Sequence, residues 1–387
     1  MTGFFTAPRI AWGPGALEQL SGLGARRALV VVDPGIGRRG GERRVVEELG
    51  KSETHVEVVS NLVRAHRLST VERLKEQVAT YVPDWLVAVG GGTTIDAVKA
   101  ARLWAERPEV GIEQFTPFLE CPDPPRTRLA VLPTTSGSGA EASATVDLVA
   151  DDGRPLEVTH RGLTPEWALV DAGLAEGLSP DQVADGAFET LALATEAYLS
   201  AWSSPFSDAF ARDAATTVAG RLAHALRWSD DPDARSALHY AATLAGLAAS
   251  NAQRGVAHAL ARALEAPTGL PYGRLLAIVL PLALDFDRPS ARDRLEALAL
   301  ELQPPAERGR EPLSAAARTR RLGEVARIPA TLRAAGIDVG PIEAARSTIV
   351  SHTLRSPAVL ANPRVPTPED VAALVDAALG PPGASDR

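Results

Sequence analysis

Two segments carry residue types suited to holding a phosphorylated ligand. Gly90-Gly91-Gly92-Thr93-Thr94-Ile95-Asp96-Ala97-Val98-Lys99 combines three glycines, two hydroxyls and a carboxylate. Glycine lets the backbone approach a ligand without a Cβ in the way. A helix opening there offers N–H groups and a positive dipole end to a phosphate. A tight turn with no ligand would use the same glycines, so this fingerprint alone is weakly specific. Pro133-Thr134-Thr135-Ser136-Gly137-Ser138-Gly139-Ala140-Glu141 is a second turn of small hydroxyl and glycine residues. Two such turns at one end of a parallel sheet form a polar cleft, where open α/β sheets bind ligands. Pyrophosphate is expected on Gly91, Gly92 and Thr93, with Asp96, Thr134, Thr135 and Ser138 lining the site. Asp33 ends a β-branched run. A carboxylate there suits the two ribose hydroxyls of an adenosine and repels a 2′-phosphate, which points to NAD; the other reading is a loop cap.

These turns need strands to carry them. Arg27–Asp33, Trp85–Gly90, Leu129–Pro133 and Trp167–Asp171 are short apolar runs that read as strands, and Thr70–Tyr81 has a helical pattern. Strands buried on both faces and separated by helices predict a parallel, Rossmann-like sheet. From Leu178 onward the pattern is Ala/Leu-rich and helical. Ser179 is placed to N-cap and Pro180 to open a helix. Helices are expected over Val183–Ser200, Asp208–Arg227, Ala234–Ala263, Leu275–Phe286, Ala291–Leu302 and Ala315–Ala335, with Gln303–Pro312 a solvated loop. The reading is an α/β dinucleotide-binding domain over 1–175 and an all-α domain over 176–387, with no internal repeat.

Composition sets the outer bounds. The 387 residues are 45% apolar and 23% charged, which excludes a disordered or collagen-like chain. At roughly 100–200 residues per domain, two domains are expected. A net charge of −8 argues against nonspecific nucleic-acid binding. No apolar run reaches the roughly 18 residues of a membrane helix, and Met1–Pro14 does not read as a signal peptide. Cys121, the single cysteine, can form neither an internal disulfide nor a thiolate metal site. The expected location is the cytoplasm. Of 40 basic residues only Lys51, Lys75 and Lys99 are lysines, the mark of a GC-rich coding sequence.

The Gly90–Lys99 segment resembles the GGGSxxDxxK motif, and Pro133–Glu141 the PTTxGTGSE motif, of the iron-containing (group III) alcohol dehydrogenases. That superfamily includes glycerol dehydrogenase and dehydroquinate synthase. Pro165–Asp171, Glu196–Ser200, Gly255–Ala261, Ile328–Arg333 and Asn362–Asp370 follow in family order, so the resemblance covers nearly the whole chain. It implies a dehydroquinate synthase-like architecture, an NAD-dependent oxidoreductase activity, an active site between the two domains, and a homodimer. It also implies a metal bound by one Asp and three His of the helical domain. Those positions fall on Glu189, Leu193, His258 and Tyr272, and a further active-site His falls on Arg262. His66-Arg67 stands where the family commonly has Asn-Pro.

Leucine cannot ligate a metal, and Tyr is a poor ligand for a divalent ion near neutral pH, so a metal-independent enzyme is expected. Hydride removal from an alcohol then needs another base. Tyr272, His258 and Arg262 are the groups available, with His258 or Tyr272 as the base. Arg254, Arg262 and Arg274, together with Glu189, are expected around the substrate. Arginine is the usual bidentate partner of a carboxylate, although the whole chain is arginine-rich. The leading expectation is oxidation of a secondary alcohol next to a carboxylate. The dehydrogenases of daptide-type peptide biosynthesis, which act on a C-terminal threonine before decarboxylation, fit that logic. An ordinary metal-dependent alcohol dehydrogenase and a catalytically inactive dinucleotide-binding subunit are the alternatives.

Overall fold

The computed structural model describes residues 5–37, 41–62, 65–116, 119–121, 125–228, 231–303 and 313–381. The chain forms two compact units, Met1–Gly177 and Leu178–Arg387. The expected loop after Gln303 lies outside the described residues.

In the first unit the strands are β1 (Arg9–Trp12), β2 (Arg27–Val32), β3 (His55–Val59), β4 (Trp85–Gly90), β5 (Arg128–Pro133), β6 (Thr145–Val149), β7 (Pro155–Thr159) and β8 (Trp167–Val170). The helices are α1 (Pro34–Gly37), α2 (Gly41–Gly50), α3 (Leu68–Tyr81) and α4 (Gly92–Glu106). Six strands pair in parallel in the order β1-β8-β5-β4-β2-β3, and β6 and β7 form a separate antiparallel hairpin. Alternate residues of β2 and β4 point to opposite cores. Leu29, Val31, Leu86 and Ala88 pack on α3 and α4, while Ala28, Val30, Val87 and Val89 pack on Leu17, Leu20, Val45 and Leu49. Burial on both faces is why these strands read as unbroken apolar runs. The sequence reading missed β1, β3, β6 and β7. β1 has only four residues at a sheet edge, β3 alternates exposed with half-exposed positions and buries only Val59, and β6 alternates half-exposed with buried positions over five residues.

The second unit is helical: α5 (Pro180–Leu199), α6 (Pro205–Arg227), α7 (Pro232–Ala252), α8 (Val256–Thr268), α9 (Tyr272–Asp287), α10 (Arg292–Glu301), α11 (Ala315–Val325), α12 (Gly340–Ala344), α13 (Arg346–Arg355) and α14 (Pro368–Leu379). Ser179 caps α5, accepting from Gln182 N–H, and Pro180 opens it, as expected. Two helical expectations are corrected. Ala234–Ala263 is two helices, because Gln253 takes φ +74° and ends α7 before Gly255 starts α8. The stretch Ala315–Ala335 is helical only to Val325: Arg327 takes φ +56°, and Pro329 cannot continue a helix. Among the described residues no helix is long and apolar enough to cross a membrane.

Candidate active site

The first unit gathers the expected dinucleotide contacts at one edge of its sheet. Because β2, β4 and β5 are neighbours, their carboxyl ends place Asp33, Gly91–Thr93 and Thr134–Ser138 side by side. The chain leaves β2 for β3 on one side and continues with β4 on the other. This reversal is the position where open α/β sheets accept ligands. Gly91 is the N-cap of α4, so the first-turn amides after it have no helical acceptor. Thr93 is exposed, whereas Thr94 is buried. A Cβ on Gly92 would lie 2.7 Å from Ser138 Oγ and 2.8 Å from its Cβ, so the two turns can pack together only with glycine there. Thr135 and Ser138 remain half-exposed, and Thr134 is buried with its N–H on the Gly90 carbonyl.

One expected contact takes another role. Asp96 is buried, and its Oδ2 accepts the Asp147 N–H at 3.0 Å, which fixes the β6–β7 hairpin to α4. Lys99, 3.7 Å from Asp96, is fully buried and donates to the carbonyls of Ala140 and Thr145. Burial pulls its ammonium down to about 8. The Asp and Lys of this motif thus brace the turn from beneath. Asp33 Oδ1 accepts the Gly35 N–H at 2.7 Å, the loop-capping role, and its carboxylate stands half-exposed at the strand end.

In the second unit the chemistry centres on the first turn of α8. His258 is 2% exposed, with Nδ1 hydrogen-bonded to Glu196 Oε2 of α5. Glu196 Oε1 accepts the Ala257 N–H at 2.6 Å. A carboxylate oxygen only accepts, so the ring proton sits on Nδ1 and Nε2 is left as an acceptor. Among the described residues that buried Nε2 has no hydrogen-bond partner. Tyr272 opens α9 with its ring edge-on to His258, centroids 5.9 Å apart, and its hydroxyl donates to the His258 carbonyl at 3.3 Å. The Arg262 guanidinium lies 3.9 Å over the Tyr272 ring and pairs with Glu265 at 2.5 Å. His258, Tyr272 and Arg262 are therefore brought together as expected.

Not all of the expected substrate residues join them. Arg274 donates from Nε to Asp185 at 2.6 Å and from Nη2 to Asp181 at 3.4 Å, so its fork is already engaged within the protein. Burial raises the Asp185 carboxyl, and the Arg274 cation opposes that rise. Arg254 is buried in the break ahead of α8. Glu189 is half-buried on α5, one turn beyond Asp185.

Three residues were given no role in the sequence reading. Glu196 is one; its signal was a carboxylate within the mostly apolar run Leu191–Leu199. The others are Asn362 and Asp287. Asn362 Oδ1 accepts the Val256 N–H at 2.9 Å, and its amide donates to Asp287 Oδ1 at 2.6 Å. Burial pushes the Asp287 carboxyl up to about 8, helped by the nearby Glu196 charge and opposed by the Asn362 hydrogen bond.

The donor set does not suit a divalent metal. Leu193 has no donor atom and Tyr272 directs its hydroxyl at a backbone carbonyl, which leaves only the Glu189 carboxylate and His258 Nε2 as donors at the four family positions. Among the described residues no three His, Cys, Asp or Glu cluster in a way that could hold an ion.

Comparison with known proteins places this architecture. The iron-containing alcohol dehydrogenase family model matches residues 7–172, and the model of the C-terminal part of that family matches 183–379. The chain is 30% identical over 339 residues to the NADPH-dependent butanol dehydrogenase of Clostridium saccharobutylicum, covering 86% of this chain and 87% of that one. It is 31% identical over 311 residues to an alcohol dehydrogenase of Thermococcus barophilus, covering 78% and 81%. The iron-containing alcohol dehydrogenase of Thermococcus thioreducens superposes with a TM-score of 0.85 at 27% identity, over 97% of this chain and 98% of that one. With a parallel-sheet unit followed by a helical unit, each matched by its own model, the chain belongs to the iron-containing alcohol dehydrogenase family and is an alcohol dehydrogenase-like oxidoreductase.

Proposed function

We propose that this enzyme exchanges hydride between an alcohol and NAD without a divalent metal, with His258 handling the hydroxyl proton. The observation that carries the reading is the pairing of His258 with Glu196 at a site whose other family ligand positions hold Glu189, Leu193 and Tyr272. In oxidation, the carbinol C–H bond breaks and its electron pair leaves with hydrogen for the nicotinamide. The O–H proton goes to Nε2 of His258, and the C=O bond forms. The imidazolium so created is stabilised by the Glu196 carboxylate beside Nδ1. The first unit supplies the dinucleotide surface at Asp33, Gly91, Gly92 and Thr93. The Asp33 charge disfavours a 2′-phosphate, and so favours NAD over NADP.

Arg262, stacked on the Tyr272 ring beside His258, supports a substrate with a carboxylate near the reacting carbon. Arg254 and Arg274 drop out of the expected set. A peptide ending in a β-hydroxy residue such as threonine belongs to this class, and its β-keto acid product would lose carbon dioxide. The test is metal content by plasma mass spectrometry before and after chelation, with NADH formation followed on 2- and 3-hydroxy acids and simple alcohols. Less than a tenth of an equivalent of iron or zinc, with activity unaffected by chelation, is the expected result. One metal per chain, lost together with activity, would overturn it. Titration should show NADH binding more tightly than NADPH.

A further inference from the structure

The first turn of α8 is held from two directions. Glu196 reaches it from α5, and Asn362 from the segment ahead of α14. Asp287, at the end of α9, holds Asn362. All three side chains are at least 96% buried. The Asn362 amide is locked in orientation. Its oxygen faces the Val256 N–H, while its nitrogen donates to Asp287 Oδ1 and to the Arg364 carbonyl at 2.8 Å. The two oxygens of Glu196 are likewise assigned, one to the Ala257 N–H and the other to His258 Nδ1. A Cβ on Gly255 would fall 2.6 Å from Asn362 Oδ1 and 2.8 Å from Glu196 Oε1, so both acceptors lie hard against the start of the helix.

We propose that Glu196 is the positioning residue of the reaction: it keeps the ring proton of His258 on Nδ1 and so presents Nε2 as the buried acceptor. This rests on the reading that Nε2 takes the substrate proton, and the two can fail separately. The geometry makes an unusual demand on the isosteric variant Glu196→Gln. Ala257 N–H needs an acceptor, so the carbonyl oxygen of the new amide must take that place. Its NH₂ group then faces Nδ1, which has to accept, and the ring proton moves to Nε2. A change that preserves shape therefore blocks the acceptor.

The experiment is nitrogen NMR on protein labelled with ¹⁵N-histidine, at a pH where the imidazole is neutral, with the His258 signals assigned from a His258→Gln sample. The wild type is expected to show a protonated Nδ1 and a bare Nε2, and Glu196→Gln the reverse. kcat for the variant should fall on the order of 10³–10⁴-fold, the cost of a base held in the wrong tautomer, with KM changed only a few-fold. Glu196→Asp, which retains the acceptor, should recover part of the loss. A wild-type ring protonated on Nε2, or a variant ring protonated as in the wild type, overturns the proposal. If Glu196→Gln fails to fold, the wild-type spectrum alone decides. A reversed tautomer with unchanged kcat would keep Glu196 as the residue that sets the His258 tautomer but remove His258 as the base, and with it the part of Glu196 in the reaction.

Discussion

Gly255→Ala isolates the packing beneath the candidate base. Gly255 has φ −131°, which any residue can adopt, so backbone strain plays no part. What matters is the space its Cβ would need, 2.6 Å from Asn362 Oδ1 and 2.8 Å from Glu196 Oε1. Ordinary contact is near 3.4 Å or more, so each oxygen would have to retreat by more than half an ångström. Neither side chain is loose, since Glu196 is tied to Ala257 and His258, and Asn362 to Val256, Asp287 and Arg364. Moving both leaves two backbone N–H groups poorly satisfied, at about 1–3 kcal/mol each, so a loss of about 2–5 kcal/mol is expected. For a unit of this size that lowers Tm by roughly 5–15 °C. Capping preference alone, glycine against alanine at an N-cap, accounts for only about 1 kcal/mol. Thermal unfolding and urea titration read the difference. The control is Gly220→Ala, at an exposed position of α6 where a Cβ would meet nothing within 4 Å. It should gain about 0.5–1 kcal/mol from helix propensity. A Gly255→Ala loss under 1 kcal/mol would refute the account of α8 as wedged on Glu196 and Asn362.

Asp287 gives a pH test. An unfolded Asp titrates near 4, at about 3.9, whereas burial pushes Asp287 up to about 8. Between those values the native state holds the extra proton, so this residue makes stability fall as pH rises from about 4 to about 8. Asp287→Asn should flatten that decline in urea midpoints, and an unaltered slope would place the titration elsewhere. Arg262→Ala should lower kcat/KM for a carboxylate substrate on the order of 10²-fold while leaving NADH affinity intact, with Arg262→Lys a partial rescue. Its pairing with the part-exposed Glu265 is worth little to stability. A large fall in Tm with unchanged turnover would therefore make Arg262 structural.

Local signals carried much of this protein. Strands buried on both faces declare themselves as apolar runs, and Ser179-Pro180 announces a helix by capping chemistry that involves no distant residue. The two glycine turns were legible for the same reason, because each is a strand end followed by a helix start. Leu193 likewise needs no neighbour to be read, since it has no donor atom in any fold. Signals that depend on neighbours were not legible. Edge strand β1 and hairpin β6–β7 are short and half-exposed, so pairing partners decide them more than composition does. The break at Gln253–Gly255 interrupts an Ala-rich stretch whose helix propensity continues on both sides. Asp96 and Arg274 look like residues for a ligand until the fold supplies Asp147 N–H and Asp185 as their partners. The pairing of His258 with Glu196 joins residues 62 apart in the chain. Sequence named the imidazole, but which of its nitrogens can accept a proton is decided by the helix that places a carboxylate against the other.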